Sequence, residues 1–228
     1  MSFGEIKELL YKLLIQGGSW LTILKGLWVT VWISALSLFF GTLLGALVCS
    51  LRMSRLRIIR GLAAVYIVIL RGSPVLMLLM LMYYGIFARS SLEAETIAVI
   101  TFSLNVAAYV AELLRSSIVA TDHGQVEAAR TLGFSAWQAF RLVTLPQVVH
   151  IARPVYQSTV INLIQWTSVV GYVSITDLTR VINNIASRTM QPMMTIIMGM
   201  LIYLALAYIV YGLFVLSDMR QRNRGAAS

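Results

Sequence analysis

Residues Gln125–Gln147 read "QVEAARTLGFSAWQAFRLVTLPQ" and lie between long apolar runs. The stretch is too polar to sit in hydrocarbon and too ordered to be a plain connector. Val126, Ala129 and Leu132 recur at three-residue spacing, which predicts a short helix from Gln125, and Gly133 supplies the residue best suited to a left-handed helix stop. Ser135 stands three residues before Gln138, the spacing of a capping box, so a second short helix is expected through Trp137, Phe140, Arg141 and Leu142, with Pro146 ending it. Two short helices joined at a glycine make a stiff knob, and Phe134 and Trp137 place large apolar surface at its hinge. An apolar knob outside a bilayer calls for a protein pocket.

The surrounding chain supplies the bilayer. Of its 228 residues, 59% are hydrophobic and only 12% charged, with a mean hydropathy of +0.82, values that belong to an integral membrane protein. The net charge of +9 would suit nucleic acid, but the basic residues fall between apolar runs rather than among aromatics on one polar face. Membrane lipid is the expected surrounding, and nucleic acid is not a partner. Cys49, the single cysteine, lies inside an apolar run, which leaves no disulfide framework and no metal-ligand spacing. Residues 1–18 carry Glu5 and Glu8 and lack a cleavage-site pattern, so they read as a short amphipathic helix in the membrane interface, broken at Gly17–Gly18, rather than as a signal peptide.

A helix crossing the hydrocarbon core needs about 20 apolar residues. Gly26–Leu51, Pro154–Thr176 and Thr189–Ser217 meet that need, Ile58–Phe87 does so with Arg71 inside it, and Thr96–Ala111 runs into Glu112 and Arg115. The expected fold class is therefore all-α integral membrane, with about five transmembrane helices in one domain over 19–228. Arg52, Arg55, Arg57, Arg60, Arg115, Arg130, Arg141, Arg153, Arg220, Arg222 and Arg224 fall on one side. Lys7, Lys12, Lys25, Arg89, Arg180 and Arg188 fall on the other. The richer side is cytoplasmic by the positive-inside rule, which puts the amino terminus outside, the carboxyl terminus inside and the opening stretch in the cytoplasm. Gly41 and Gly45, four apart in the first span, allow another helix of the same chain to approach closely.

Glu127-Ala128-Ala129, Gly133 and Leu145-Pro146, together with "RGSPVL" at Arg71–Leu76 and "AAYVAELLRSSI" at Ala107–Ile118, resemble the permease subunit of ATP-binding-cassette importers, in particular the polar amino acid branch. The resemblance implies a type I importer permease architecture in a bacterial cytoplasmic membrane, with a cytoplasmic coupling helix within residues 121–146. It implies that Glu127, Ala128, Ala129, Gly133, Phe134 and Trp137 meet a separate ATPase subunit. The implied partners are those ATPases, a second permease of the same or a related chain, and an extracytoplasmic solute-binding protein. No cofactor is expected on this chain; ATP is used by the partners, consistent with the absence of a G-x-x-x-x-G-K-[ST] loop, and the chain is not expected to be an enzyme. Members of the branch commonly carry Lys-Asp before the Thr-Ser pair of the fourth span. Here Gln165-Trp166 precede Thr167-Ser168, which predicts a less charged pathway.

Arg71, Asn105, Tyr109, Gln165, Thr167 and Ser168 are the candidates for that pathway. Plainer readings stand beside them. An arginine within a span costs about 3 kcal/mol or more on insertion scales, and a packing role, with the guanidinium snorkelling or bonded to carbonyls freed by Pro74, is favoured for Arg71. Glu112 and Arg115 are three apart and read as an ion pair. Gln, Thr and Ser also bond neighbouring helices, and the methionines from Met190 to Met200 read as packing. His123 and His150 have no companion ligands in sequence, so no metal is expected. The alternative function is an ion-coupled secondary transporter of small solutes. It would ordinarily show several carboxylates inside spans and inverted repeats, and only Glu112 is found.

Overall fold

The computed structural model describes residues 18–225, with side chains described to residue 217. The expected helix over 1–18 therefore lies, apart from Gly18, outside the described residues. Every regular element among them is helical. In chain order these are α1 (Ser19–Arg52), α2 (Arg57–Gly72), α3 (Val75–Met80) with a π-helical turn at Leu81–Ile86, and α4 (Ala94–Val119). After them come α5 (His123–Thr131), α6 (Ala136–Ala139), a π-helical turn at Phe140–Thr144, α7 (Leu145–Trp166), a 3-10 stretch at Thr167–Val173, α8 (Leu178–Thr189) and α9 (Pro192–Gly225).

Three helices are long and apolar enough to cross a membrane, namely Ser19–Arg52, Ala94–Val119 and Pro192–Ser217; α2 with α3 and its π turn are so only taken together, bent by 108° at their break, and make a fourth if the pair counts as one span. α4 runs past the expected end at Ala111 because Glu112 and Arg115 neutralise each other, with Arg115 Nε donating to Glu112 Oε2 at 2.9 Å. The expected span Pro154–Thr176 needs correction at both ends. Its helix begins at Leu145, passes through Pro154, and gives way at Trp166 to the 3-10 stretch. Proline removes one hydrogen bond, and in a membrane helix the surrounding turns and neighbours absorb that loss without ending the helix.

Contacts gather the chain into two compact units, each assembled from separated segments. Of the described residues, one holds 18–36, 75–101 and 161–225; a core in it is Ile23, Leu178, Val181, Ile182, Ile185 and Met198, with Leu27, Met194, Ile202 and Tyr203 packed against it. The long apolar side chains of α8 supply most of that core from one helix face. The other unit holds residues 37–74 and 102–160. There α1 and α4 touch through small residues, as the spacing predicts: a Cβ on Gly41 would meet Val106 Cβ at 2.7 Å, and one on Gly45 would meet Val110 Cβ at 2.6 Å. Close backbone approach replaces the hydrophobic driving force that lipid does not provide.

The break between α2 and α3 has a chemical cause. Pro74 has no N–H to give the carbonyl of Leu70 four residues earlier. Asn105 Nδ2 on α4 donates to that carbonyl instead, at 2.7 Å, while Tyr66 Oη donates to Leu104 O at 2.7 Å. The two helices are thus stapled where the first one stops.

Candidate functional site

The knob forms as two capped helices. α5 starts at His123, two residues before the expected start, because Asp122 caps it: Oδ1 accepts from Gly124 N at 2.9 Å. At its other end Phe134 N donates to Ala129 O and Gly133 N to Arg130 O, both 3.1 Å, the paired bonds of a Schellman stop with Gly133 at φ +88°. Arg130 Nη1 adds a third tie to Phe134 O at 2.7 Å, a cation at the helix's negative end. The expected capping box is present, with Ser135 N donating to Gln138 Oε1 at 2.8 Å and Gln138 N to Ser135 Oγ at 3.2 Å.

Pro146 does not end this segment, contrary to expectation. α6 passes through the π turn into α7, and Pro146, at the second position of α7, removes one N–H from a helical run that continues through it. The segment is closed by a residue that sequence reasoning passed over. Gln147 Oε1 accepts from Asp122 N at 3.0 Å and Gln147 Nε2 donates to Gln125 Oε1 at 3.0 Å, tying the end of the knob to its beginning.

The surface this builds is apolar at its hinge. Leu132 is 80% exposed and Trp137 67%, with Phe134 and Phe140 also exposed and the Trp137 and Phe140 rings stacked at 5.8 Å. Glu127 and Ala128 are exposed as well, whereas Ala129 is buried, so of the two alanines only Ala128 faces outward.

The pathway candidates fall in different settings. Arg71 lies over the Tyr109 ring at 5.1 Å, and the carbonyl freed by Pro74 belongs to Asn105 rather than to Arg71. Asn105 is buried, and its Oδ1 lacks a partner among the described atoms, as does Ser103 Oγ. Thr167 is fully buried, with its hydroxyl donating to Ile164 O at 2.7 Å. Gln165 is exposed and lines a cavity of about 440 Å³ with Thr179, Asn183, Met200, Tyr203 and Leu204; none of the described lining residues is charged. Ser168 lines a second cavity of about 560 Å³ with Tyr172, Arg180 and Asn183. The structure thus brings Gln165 and Ser168 to cavities that share Thr179 and Asn183.

Sequence reasoning missed the support of these cavities. Asp177 is fully buried and caps α8, accepting from Arg180 N and Thr179 N at 3.0 Å each. Burial pushes its carboxyl above the usual carboxylate range, and those two N–H groups oppose the shift. Tyr203 Oη reaches Asp177 Oδ2 at 3.4 Å and Thr179 Oγ1 at 2.8 Å, and Leu178 N donates to Thr30 Oγ1 at 3.3 Å. An aspartate immediately before an apolar-periodic turn was the available signal. No group of three or more His, Cys, Asp or Glu able to hold a metal occurs among the described residues.

Among the described residues, long apolar helices thus accompany a capped segment with an exposed apolar hinge. The chain belongs to the family of binding-protein-dependent transport system inner membrane components, which it matches over residues 37–223, and it is a multi-pass inner-membrane protein. It is 38% identical over 188 residues to the probable amino-acid ABC transporter permease protein YckA of Bacillus subtilis, covering 82% of this chain and 83% of that one. To the L-cystine transport system permease protein TcyB of the same organism it is 33% identical over 184 residues, 80% and 79% of the two chains. A crystal structure of an amino acid ABC transporter with histidines matches with a TM-score of 0.80 at 32% identity, over 87% of this chain and 94% of that one. The inward-facing MetNI methionine ABC transporter shares the fold, with a TM-score of 0.67 at 20% identity over 85% and 93%. The architecture is that of type I ABC importer permeases, as the motifs suggested.

Proposed function

We propose that this chain is the membrane-spanning subunit of an ATP-driven amino acid importer, and that residues 121–146 are the element through which separate ATPase subunits drive it. The observation that carries the reading is the exposed apolar hinge of Leu132, Phe134 and Trp137 on a segment closed at both ends by hydrogen bonds. A pocket on an ATPase gains by covering that surface, and a segment with capped ends moves as a body when the pocket moves. Glu127 and Ala128 would face the partner, and Gly133 sets the angle between the short helices. The relatives named for amino-acid and cystine transport support the solute class. The arginine-rich side, with the knob, is taken as cytoplasmic, which leaves the amino terminus outside. ATP is bound by the partners and not by this chain. A second permease subunit and an extracytoplasmic solute-binding protein complete the machine, which works by alternating access.

The uncharged cavity at Gln165 supports a pathway suited to solutes without a fixed side-chain charge. Arg71, Asn105 and Tyr109 would shape α2 and α4 rather than touch solute, since Arg71 stacks on Tyr109 and Asn105 serves Leu70. An ion-coupled carrier fits less well, because Glu112 is held by Arg115. Purification from native membranes tests the proposal: an ATPase subunit and a solute-binding protein are expected to accompany the chain. Transport by the chain alone after reconstitution would refute it.

A further inference from the structure

Between the first turns of α1 and one face of α8 lies a cavity of about 240 Å³. Thr22, Lys25, Asn184 and Arg188 line it together with Val181 and Ile185, and no carboxylate is among the described lining residues. Arg188 is held in place from one side, donating through Nη2 to the Oγ of buried Ser19 at 2.6 Å. Lys25 is exposed, and neither cation has an ion pair among the described residues. Two like charges directed at one small cavity repel each other unless an anion lies between them. A fork of guanidinium donors beside a flexible ammonium suits a compact oxyanion with several acceptor oxygens, of which phosphate is the common biological form.

The setting narrows the source of that phosphate. On the same turns of α1, Leu21, Leu24 and Trp28 are each at least half exposed and Trp20 nearly so. Exposed tryptophans mark the level where acyl chains meet head groups, and basic residues at that level attract acidic lipid. An acidic loop of a soluble protein would gain nothing from leucines exposed around its binding cations. We propose that the Lys25–Arg188 cavity binds the phosphate of an acidic phospholipid head group. The site is independent of the transport reading given above.

The test uses the full-length protein in its assembled complex, held in nanodiscs of phosphatidylcholine doped with phosphatidylglycerol, with bound lipid measured by native mass spectrometry. The wild type is expected to retain phosphatidylglycerol in preference to phosphatidylcholine. Lys25→Gln should weaken that preference about fivefold and the double variant K25Q/R188Q roughly thirty-fold, taking about fivefold per cation. Inorganic phosphate at millimolar concentration should displace the lipid if the head-group phosphate is the seat. Equal retention in wild type and variants would overturn the proposal. So would binding of inorganic phosphate without any preference for phosphatidylglycerol, which would make the ligand a soluble anion. Intact lipid preference with lost response to a solute-binding protein would assign the cations to protein docking and likewise overturn it. Should the double variant fail to assemble, Lys25→Gln alone decides, because that side chain is exposed.

Discussion

Gly45→Ala asks how closely α1 and α4 are packed. The added Cβ would stand 2.6 Å from Val110 Cβ, 2.8 Å from Val110 Cγ1 and 3.0 Å from the carbonyl oxygen of Ala107. Carbon atoms in ordinary contact are about 3.5–4.0 Å apart, so the helices must separate by about 1 Å or distort. The atoms in the way are a backbone oxygen and the Cβ of a residue that is only 1% exposed, neither of which can swing aside. Overpacking of this kind costs roughly 1–3 kcal/mol, which lowers the folded-to-unfolded ratio by roughly 5- to 150-fold. The assay is unfolding of the purified protein in detergent, followed by tryptophan fluorescence. Gly61→Ala and Gly212→Ala serve as references, since an added Cβ at either meets nothing within 4 Å. Both should be neutral or gain up to about 1 kcal/mol, the ordinary preference of a helix for alanine. Val110→Ala should rescue Gly45→Ala only in part, because alanine removes the Cγ1 at 2.8 Å but keeps the Cβ at 2.6 Å. If Gly45→Ala unfolded with the two references, the close approach of these helices would be wrong.

Gly133→Val places a branched side chain at φ +88°, a strain of roughly 1–2 kcal/mol or more, and should lower transport while leaving membrane insertion intact; Glu127→Lys should do the same by reversing an exposed charge. Solute uptake and ATP hydrolysis in the assembled complex are measured together, and parental rates in both variants would remove the coupling role. Gln165→Ala should change which amino acids compete for uptake more than it changes expression or basal ATP hydrolysis; an unchanged competition profile across acidic, basic and neutral amino acids would return Gln165 to packing. Asn105→Leu should destabilise by about 1 kcal/mol, because it leaves the Leu70 carbonyl unserved while also removing the unpartnered Oδ1. Denaturant titration in detergent checks this, and a variant more stable than the parent would show that the orphaned acceptor outweighs the staple.

What the sequence made legible was local. The Gly133 stop, the Ser135 box, the Glu112–Arg115 pair and the Gly41–Gly45 face each rest on residues a few positions apart, where helical geometry alone fixes who meets whom. The ties that close the site rest on distant pairs. Gln147 meets Asp122 and Gln125, Asn105 meets Leu70, and Tyr203 meets Asp177, across separations that periodicity does not encode. Pro146 misled for a related reason. It was read as a helix end from local propensity, whereas the helical run continues through it to Trp166. Of the two packing roles expected for Arg71, bonding to the carbonyl freed by Pro74 falls instead to a carboxamide on another helix, and the guanidinium lies over the Tyr109 ring.

The π turn at Phe140–Thr144 bears on how this chain tolerates changes of length. A π turn holds one residue more than the α turn it replaces, so deleting one residue from 140–144 would leave a continuous α-helix whose hydrogen-bond ladder still lacks the N–H of Pro146. Such a deletion would nevertheless rotate everything before it by about 100° relative to Leu145–Trp166. Trp137 would turn away from its present direction, and Gln147 would no longer face Asp122 and Gln125. A chain shortened by a single codon there would fold into sound helices whose tip pointed at the wrong target, so the length of this five-residue stretch is held as tightly as its composition.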